Sequence, residues 1–482
     1  MQALNTDFYE FTMAQAAFNA EMSNQICTFD CFFRKIPDQG GYVLTNGLEE
    51  VIEYIKNLKF TESEIEYLRS LNKFSEEFLQ ELQNLKFTGN ITAIPDGTVV
   101  FPGEPLLTVQ ARFVEAALIE TRLLQIKNFA NLITTKSSRI NQAAAGRGVM
   151  EFGARRAQEQ DAAFYGAKYA YEAGCVATSY TKAGYEFGIN VSGTMAHSWV
   201  QMFDNDYEAF LTYAKTYLDD CTFLVDTYNT LKSGVPNAIR VAKEYLIPNG
   251  YRLKAIRLDS GDLAYDSKEA RKMLDEAGLE DCKICASNSL DEFIITDLLE
   301  QGAPIDSFGV GERQITAKSD PVFGGVYKLV ELVGVPKIKV SNTIEKITTP
   351  GHKKTVRFYD ADSGYALGDI NYLIDEEIPT ESFTTFDEVE TWKQKIFANY
   401  RSRLLQVEIF RNGELVYKIP TVEEVKAKIR EELGTLYEEI KRLRNPHKYI
   451  VNLSERLYNL KRGLLEQASE QIRRLEKDDY QW

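Results

Sequence analysis

Three segments in the middle of the chain set a short polar or glycine-rich turn directly after a strand-like apolar run. They are Val191-Ser192-Gly193-Thr194-Met195-Ala196-His197-Ser198, Ala255-Ile256-Arg257-Leu258-Asp259-Ser260-Gly261-Asp262 and Ser307-Phe308-Gly309-Val310-Gly311-Glu312. Turns of this kind expose backbone N–H groups and short side-chain donors, which suit an anionic, phosphate-bearing ligand. Their succession predicts one composite pocket assembled from several strand ends.

Histidine is scarce, with only His197, His352 and His447 in the chain. A lone histidine is more often structural than catalytic, but His197 follows a strand and sits beside the hydroxyls of Thr194 and Ser198. It is therefore expected to do chemistry. Arg155 and Arg156 follow Phe152-Gly153-Ala154, a turn that would present guanidinium forks to a carboxylate or phosphate. Arg257 lies inside an apolar strand, where an arginine must find an anion or carry a large burial cost. It either pairs internally with Asp259 or meets the ligand, and the ligand is favoured. Tyr9, on the first helix after Thr6-Asp7, is either a core residue or a stacking face for an aromatic ligand. No phosphate-binding P-loop, dinucleotide-binding glycine motif, nucleophile elbow or HExxH zinc motif is present.

These residues need a scaffold, and from about Thr222 onward strand and helix signals alternate. Strand-like runs at Thr222–Val225, Ala255–Leu258, Lys283–Ala286 and Ile305–Phe308 are separated by helical spacing at Ala238–Leu246, from near Ser267, and at Leu290–Glu300. Such alternation implies a parallel sheet, and right-handed crossovers can close it into a barrel. In a barrel of this kind function sits at the C-terminal strand ends. Asp226-Thr227, Asp259-Ser260-Gly261, Ser287-Asn288-Ser289 and Gly309-Val310-Gly311 all fall there, although Ser, Asn, Asp and Gly also make ordinary turns and caps. The expected organisation is an α+β domain over residues 1–130, a catalytic α/β barrel over 131–340, a return to the α+β domain over 341–420, and a helical segment over 421–482.

A chain of 482 residues calls for two or three domains. Its net charge of -15, from 56 basic and 71 acidic residues, argues against sequence-independent nucleic-acid binding. No window reads as a membrane span, and Met1–Asp7 lacks the basic and apolar pattern of a signal peptide. A cytoplasmic location is expected. The six cysteines are expected as free thiols. Cys282 and Cys285 lie in a strand-like run, and residues three apart on a strand point to opposite faces, which disfavours a shared metal.

Taken together, the chain resembles the nicotinate phosphoribosyltransferase family over nearly its whole length. The resemblance is carried by Thr6-Asp7-Phe8-Tyr9-Glu10-Phe11-Thr12-Met13, Gly40-Gly41-Tyr42, Pro102-Gly103-Glu104-Pro105-Leu106 and Glu151-Phe152-Gly153-Ala154-Arg155-Arg156-Ala157. It continues through Gly193–Ser198, Leu258–Leu263 and Gly324–Leu329. It implies an irregular, funnel-like α/β barrel of the type II phosphoribosyltransferase kind, packed on an α+β domain. It implies nicotinate, phosphoribosyl pyrophosphate and ATP as substrates, Mg²⁺ as cofactor, a homodimer with its site at the subunit boundary, and a place in NAD biosynthesis.

The same resemblance gives roles to the flagged residues. His197 corresponds to a histidine phosphorylated transiently by ATP. Tyr9, from the neighbouring subunit, and Phe152 sandwich the pyridine ring. Arg155 and Arg257 lie near the base and phosphates, and Thr194 contacts nicotinate. Asp259, Ser260, Gly261, Gly309 and Gly311 line the phosphoribosyl end. Ser179 stands in the stretch Ala177–Tyr180, where related nicotinamide enzymes carry an Asp, and a neutral hydroxyl there does not repel a carboxylate. Glu312 departs from the small hydroxyl residue of many relatives, so it either turns away from phosphate or binds metal.

Overall fold

Aromatic and β-branched side chains crowd the run Ile26–Phe33, and it forms a strand whose two flanks are covered by further strands. In the computed structural model, which describes residues 3–341, 346–387 and 392–479, it pairs antiparallel with Leu107–Arg112 on one side and Gly325–Leu332 on the other. Phe29 stacks on Tyr327 across the second pairing, with ring centroids 4.7 Å apart. Parts of the expected 341–420 and 421–482 segments, and Met1 and Gln2 of the signal-peptide reading, lie outside the described residues.

The chain divides into two compact units. The first comprises Met1–Leu132 and Val322–Trp482, and the second Ile133–Pro321. The first unit holds the seven-stranded sheet built on Ile26–Phe33 and a four-stranded sheet centred on Lys353–Asp360 and Ala366–Leu373. The second unit stops at Pro321 instead of running to 340, because Gly325–Leu332 pairs with Ile26–Phe33 and so belongs to the first unit.

The C-terminal region is helical at Val422–Gly434 and Glu455–Asp479. Contrary to an all-helical reading, Val451–Leu453 between them is a strand, parallel to Ala366–Leu373. That run is too short for hydrophobic periodicity to reveal. Among the described residues no helix is long and apolar enough to cross a membrane, and the six cysteines are buried free thiols.

The second unit carries the parallel sheet that the alternation implied. Its order is Ala177–Thr178, Gly148–Glu151, Ser307–Val310, Lys283–Ser287, Ala255–Leu258, Thr222–Leu224, with every neighbouring pair parallel. The sheet curls as half a barrel and is open between its first and last strands. Most residues of these strands are buried, as in a sheet covered on both faces. The helix expected near Ser267 starts earlier, at Leu263. Asp262 caps it by accepting from the N–H groups of Ala264 and Tyr265, both at 3.1 Å. The next helix, Glu292–Glu300, is capped in the same way by Asp291.

Candidate active site

Parallel strands bring their C-terminal ends to one edge, and here those ends carry the polar residues. Arg257 stands one residue before the end of its strand. Its Nε donates to Ser287 Oγ (2.9 Å) and its Nη2 to Asp259 Oδ1 (3.0 Å), with a longer contact from Nη1 to Thr194 Oγ1 at 3.4 Å. The guanidinium carbon lies 5.6 Å from the centre of the Phe152 ring, a cation–π distance. The internal pairing with Asp259 is thus present in this structure, and the pair also faces an aromatic ring.

The Asp259-Ser260 turn is held from the next strand end. Asp226 Oδ2 accepts from Asp259 N (2.9 Å) and from Ser260 Oγ (2.6 Å). The other oxygen of that carboxylate, Asp226 Oδ1, is buried and has no hydrogen-bond partner. His197 opens the short helix His197–Gln201. Its ring lies between two of these residues, with Nδ1 3.1 Å from Thr227 Oγ1 and Nε2 3.8 Å from Asp259 Oδ2. Gly261 comes next in a left-handed turn (φ 77°) beside Asp266.

Just beyond the end of the strand Gly148–Glu151, Phe152 is half-buried, and its N–H donates to Val310 O at 2.7 Å. A Cβ on Gly309 would lie 2.5 Å from Phe152 Cδ2, so only glycine leaves room for the ring. A Cβ on Gly311 would likewise be crowded, 3.0 Å from Phe152 O. The Gly-Val-Gly turn is therefore shaped around Phe152. Arg155 is exposed on the short turn Ala154–Arg156. Ser179 is also exposed, and its N–H donates to Glu151 O at 2.9 Å.

Glu312 turns to basic side chains, Lys318 Nζ at 2.7 Å and Arg156 Nε at 3.8 Å. Lys318 holds its carboxyl below the usual range. Tyr9 belongs to the first unit, on the helix Phe8–Asn19, and is 49% exposed. The other candidates all lie in the second unit.

The N-terminal domain model of nicotinate phosphoribosyltransferase matches residues 4–128, and the C-terminal domain model matches 352–461. The nicotinate phosphoribosyltransferase of Bacillus subtilis (strain 168) is 43% identical over 477 residues, covering 98% of this chain and 96% of that protein. The chain belongs to the nicotinate phosphoribosyltransferase family. The Mycobacterium tuberculosis member named pncB2 is 38% identical over 457 residues, covering 94% of this chain and 92% of its own. The crystal structure of human nicotinic acid phosphoribosyltransferase superposes with a TM-score of 0.85 at 28% identity, over 95% of this chain and 99% of that one. The curled, open parallel half-barrel matches the type II phosphoribosyltransferase fold expected of this family.

Several residues that organise this family member's strand edge are not site candidates in the sequence reading. Asp226, Thr227 and Ser287 stand there only as members of the strand-end turns where function is expected, with no individual role, and Glu151 and Thr178 only as parts of longer motifs. The available signal is positional, since each lies at or just beyond the end of a strand of the same parallel sheet.

Proposed function

We propose that this chain transfers the phosphoribosyl group of phosphoribosyl pyrophosphate to nicotinate, coupled to ATP hydrolysis through a phosphohistidine at His197. The product, nicotinate mononucleotide, would enter NAD biosynthesis in the cytoplasm. The observation that carries the reading is the seat of the imidazole. His197 lies 3.8 Å from Asp259, whose partner Arg257 faces the Phe152 ring.

In this reading nicotinate stacks on Phe152, with its carboxylate received by Arg155 and the neutral hydroxyls of Ser179 and Thr194. The pyridine nitrogen attacks the anomeric carbon as the bond to pyrophosphate breaks, and pyrophosphate leaves with the electron pair. Positive charge builds on the ribose and negative charge on the leaving group. Arg257 and the N–H groups of the Ser260-Gly261 and Val310-Gly311 turns stabilise that negative charge in this reading.

Mg²⁺ fits the donors present. Asp226 Oδ1 is a buried oxygen lacking a partner, and Asp259 and Ser260 stand beside it. Among the described residues no three acidic, cysteine or histidine side chains form a ready-made cage, and Mg²⁺ is ordinarily held by one or two carboxylates with substrate phosphates and water. When bound, the ion would neutralise charge on the departing pyrophosphate.

In the coupling step a ring nitrogen of His197 attacks the γ-phosphorus of ATP. An N–P bond forms, the bridging P–O bond breaks, and ADP departs with the electron pair. Water later releases phosphate. Thr227 and Asp259 hold the ring for that attack. The exposed aromatic side chains Phe8 and Tyr9 suit a homodimer in which Tyr9 of a second copy covers the nicotinate ring.

Pyrophosphate release from nicotinate and phosphoribosyl pyrophosphate, measured with and without ATP, tests the reading. Turnover is expected in both conditions, with ATP lowering the substrate KM values. Nicotinamide as the preferred pyridine would overturn the charge argument at Ser179, and quinolinate as the preferred one would overturn nicotinate as the substrate. His197→Ala should retain slow transfer, lose ATPase activity and lose the ATP effect on KM, a coupling of about 5- to 150-fold in such systems. ATP still improving affinity in that variant would sink the phosphohistidine.

A further inference from the structure

Glu151 precedes the stacking residue Phe152, yet it does not face the ligand. It ends its strand, in register with Val310 on one side and Thr178 on the other, and its side chain is buried. Its Oε2 accepts from Thr178 Oγ1 at 2.7 Å, and its Oε1 accepts from Gly153 N. Thr178 Oγ1 in turn accepts from Tyr180 N at 3.0 Å, while Ser179 N donates to the Glu151 main-chain oxygen at 2.9 Å.

One residue thereby ties two backbone arms together. The first, Gly153-Ala154-Arg155, carries the arginine assigned to nicotinate. The second, Thr178-Ser179-Tyr180, carries the serine assigned to the same carboxylate. The arm at Gly153 is held close: a Cβ there would come within 2.6 Å of Ile315 Cβ and 2.8 Å of Glu151 Oε1. Thr178 is joined further to the segment leading to Thr194, since Ser192 N donates to Thr178 O at 2.8 Å.

We propose that Glu151 is a positioning residue of the base subsite, a double acceptor that fixes the spacing of the Arg155 and Ser179 arms and so sets nicotinate affinity. The proposal rests on the reading of those two residues as nicotinate contacts.

The hydrogen-bond directions make it specific. Tyr180 N–H already points at Thr178 Oγ1, so the hydroxyl hydrogen must go to an acceptor, and Gly153 N–H needs another. A carboxylate supplies both, whereas a glutamine amide supplies only one. A purely space-filling side chain would not need acceptors here, and leaving these buried donors unmet is costly. Burial also raises the Glu151 carboxyl above its ordinary range. An acid retained in a low-dielectric position behind an anion-binding surface is more than bulk filling requires.

The test compares Glu151→Gln, Thr178→Val and Thr178→Ser with wild type in steady-state kinetics and in equilibrium nicotinate binding. Glu151→Gln and Thr178→Val should each raise the nicotinate KM and Kd about tenfold. The phosphoribosyl pyrophosphate KM and the kcat at saturating nicotinate should stay within about twofold, because the other strand ends are untouched. The double variant should be no worse than either single one, since both cut the same link. Thr178→Ser, which keeps the hydroxyl, should bind nicotinate like wild type. An unmoved nicotinate KM in Glu151→Gln beside normal wild-type turnover overturns the proposal alone. A parallel loss in both KM values and kcat also overturns it, by marking Glu151 as general scaffold. Wild-type protein idle with nicotinate overturns the functional reading and this proposal with it.

Discussion

Two arginines stand between apolar neighbours in strands of this chain, and their surroundings differ sharply. Arg357, between Val356 and Phe358, is completely buried. Its Nε meets Asp369 Oδ1 at 2.9 Å, its Nη2 meets Asp369 Oδ2 at 2.6 Å and Val99 O at 2.9 Å, and its Nη1 meets Glu432 Oε2 at 3.2 Å. The stacked rings of Phe101 and Tyr449 complete the enclosure. Arg257, between Ile256 and Leu258, has one carboxylate partner, and its side chain and that of Asp259 are 14% and 25% exposed. Both pairs have sound geometry. The difference lies in position along the strand. Arg357 sits inside Lys353–Asp360 with strands on both sides, whereas Arg257 stands one residue from a strand end that opens into Asp-Ser-Gly. An arginine saturated from all sides holds a fold together, while one beside an open turn can exchange its partner for a ligand.

Breaking the buried cluster should have the largest effect. Arg357→Met leaves the buried Asp369 carboxylate without its counter-ion and Glu432 with Arg403 alone, which costs about 3–5 kcal/mol. Chemical denaturation should show that loss as a lower midpoint, and a change under about 1 kcal/mol would mean the cluster is not a structural anchor. Arg257→Lys should do the reverse. Unfolding stability should move by less than about 1 kcal/mol, because the site is partly solvated. Replacing a fork by a point charge should lower kcat/KM by about 10- to 100-fold. Near-normal kinetics with a large stability loss would place Arg257 with Arg357 as structural and erase the contrast.

The sequence reading favours Arg257 for the ligand and makes nothing of Arg357, although both satisfy the same rule about arginine in an apolar strand. Local context separates them, because only Arg257 is followed at once by turn residues. Four of the six parallel strands were legible for a similar reason, since Thr222, Ala255, Lys283 and Ile305 begin spaced apolar runs, whereas Gly148–Glu151 and Ala177–Thr178 lie before that alternation. The partners Asp226, Ser287 and Glu151 were not legible as partners. Their contacts cross 25 or more residues, as in Ser287 on Asp259, and depend on which strands become neighbours. Nor does periodicity reveal that Gly325–Leu332 pairs with Ile26–Phe33, a match made between two distant parts of the chain. The Gly-Val-Gly turn was read as a phosphate cradle, and the packing of Gly309 against Phe152 gives it a second duty that only coordinates disclose.

The smallest expected effect comes from Glu104, inside the same buried cluster. Its Oε2 accepts from Phe101 N at 2.9 Å, and its Oε1 is buried with no donor to meet. Burial first, and then the neighbouring Asp369 carboxylate, push its carboxyl well above the usual range. A proton kept on Oε1 and donated toward Asp369 satisfies both oxygens. Glutamine reproduces that pattern, with its amide N–H groups in place of the acid proton. Near pH 5 Glu104→Gln should therefore be neutral to within about 1 kcal/mol. The raised carboxyl sets the sign of the pH dependence. Its stabilising contribution is complete below the ordinary carboxylate range, and it is lost as pH rises toward the folded-state value, because the unfolded chain ionises first. Glu104→Gln has no such proton to lose, so its stability should gain on wild type as pH is raised from 5 to 8. Parallel denaturation curves across that interval would mean Glu104 is ionised in the native protein. Arg357 would then face three buried carboxylates, with Arg403 sharing only Glu432, and the contrast with the single carboxylate partner of Arg257 would grow sharper still.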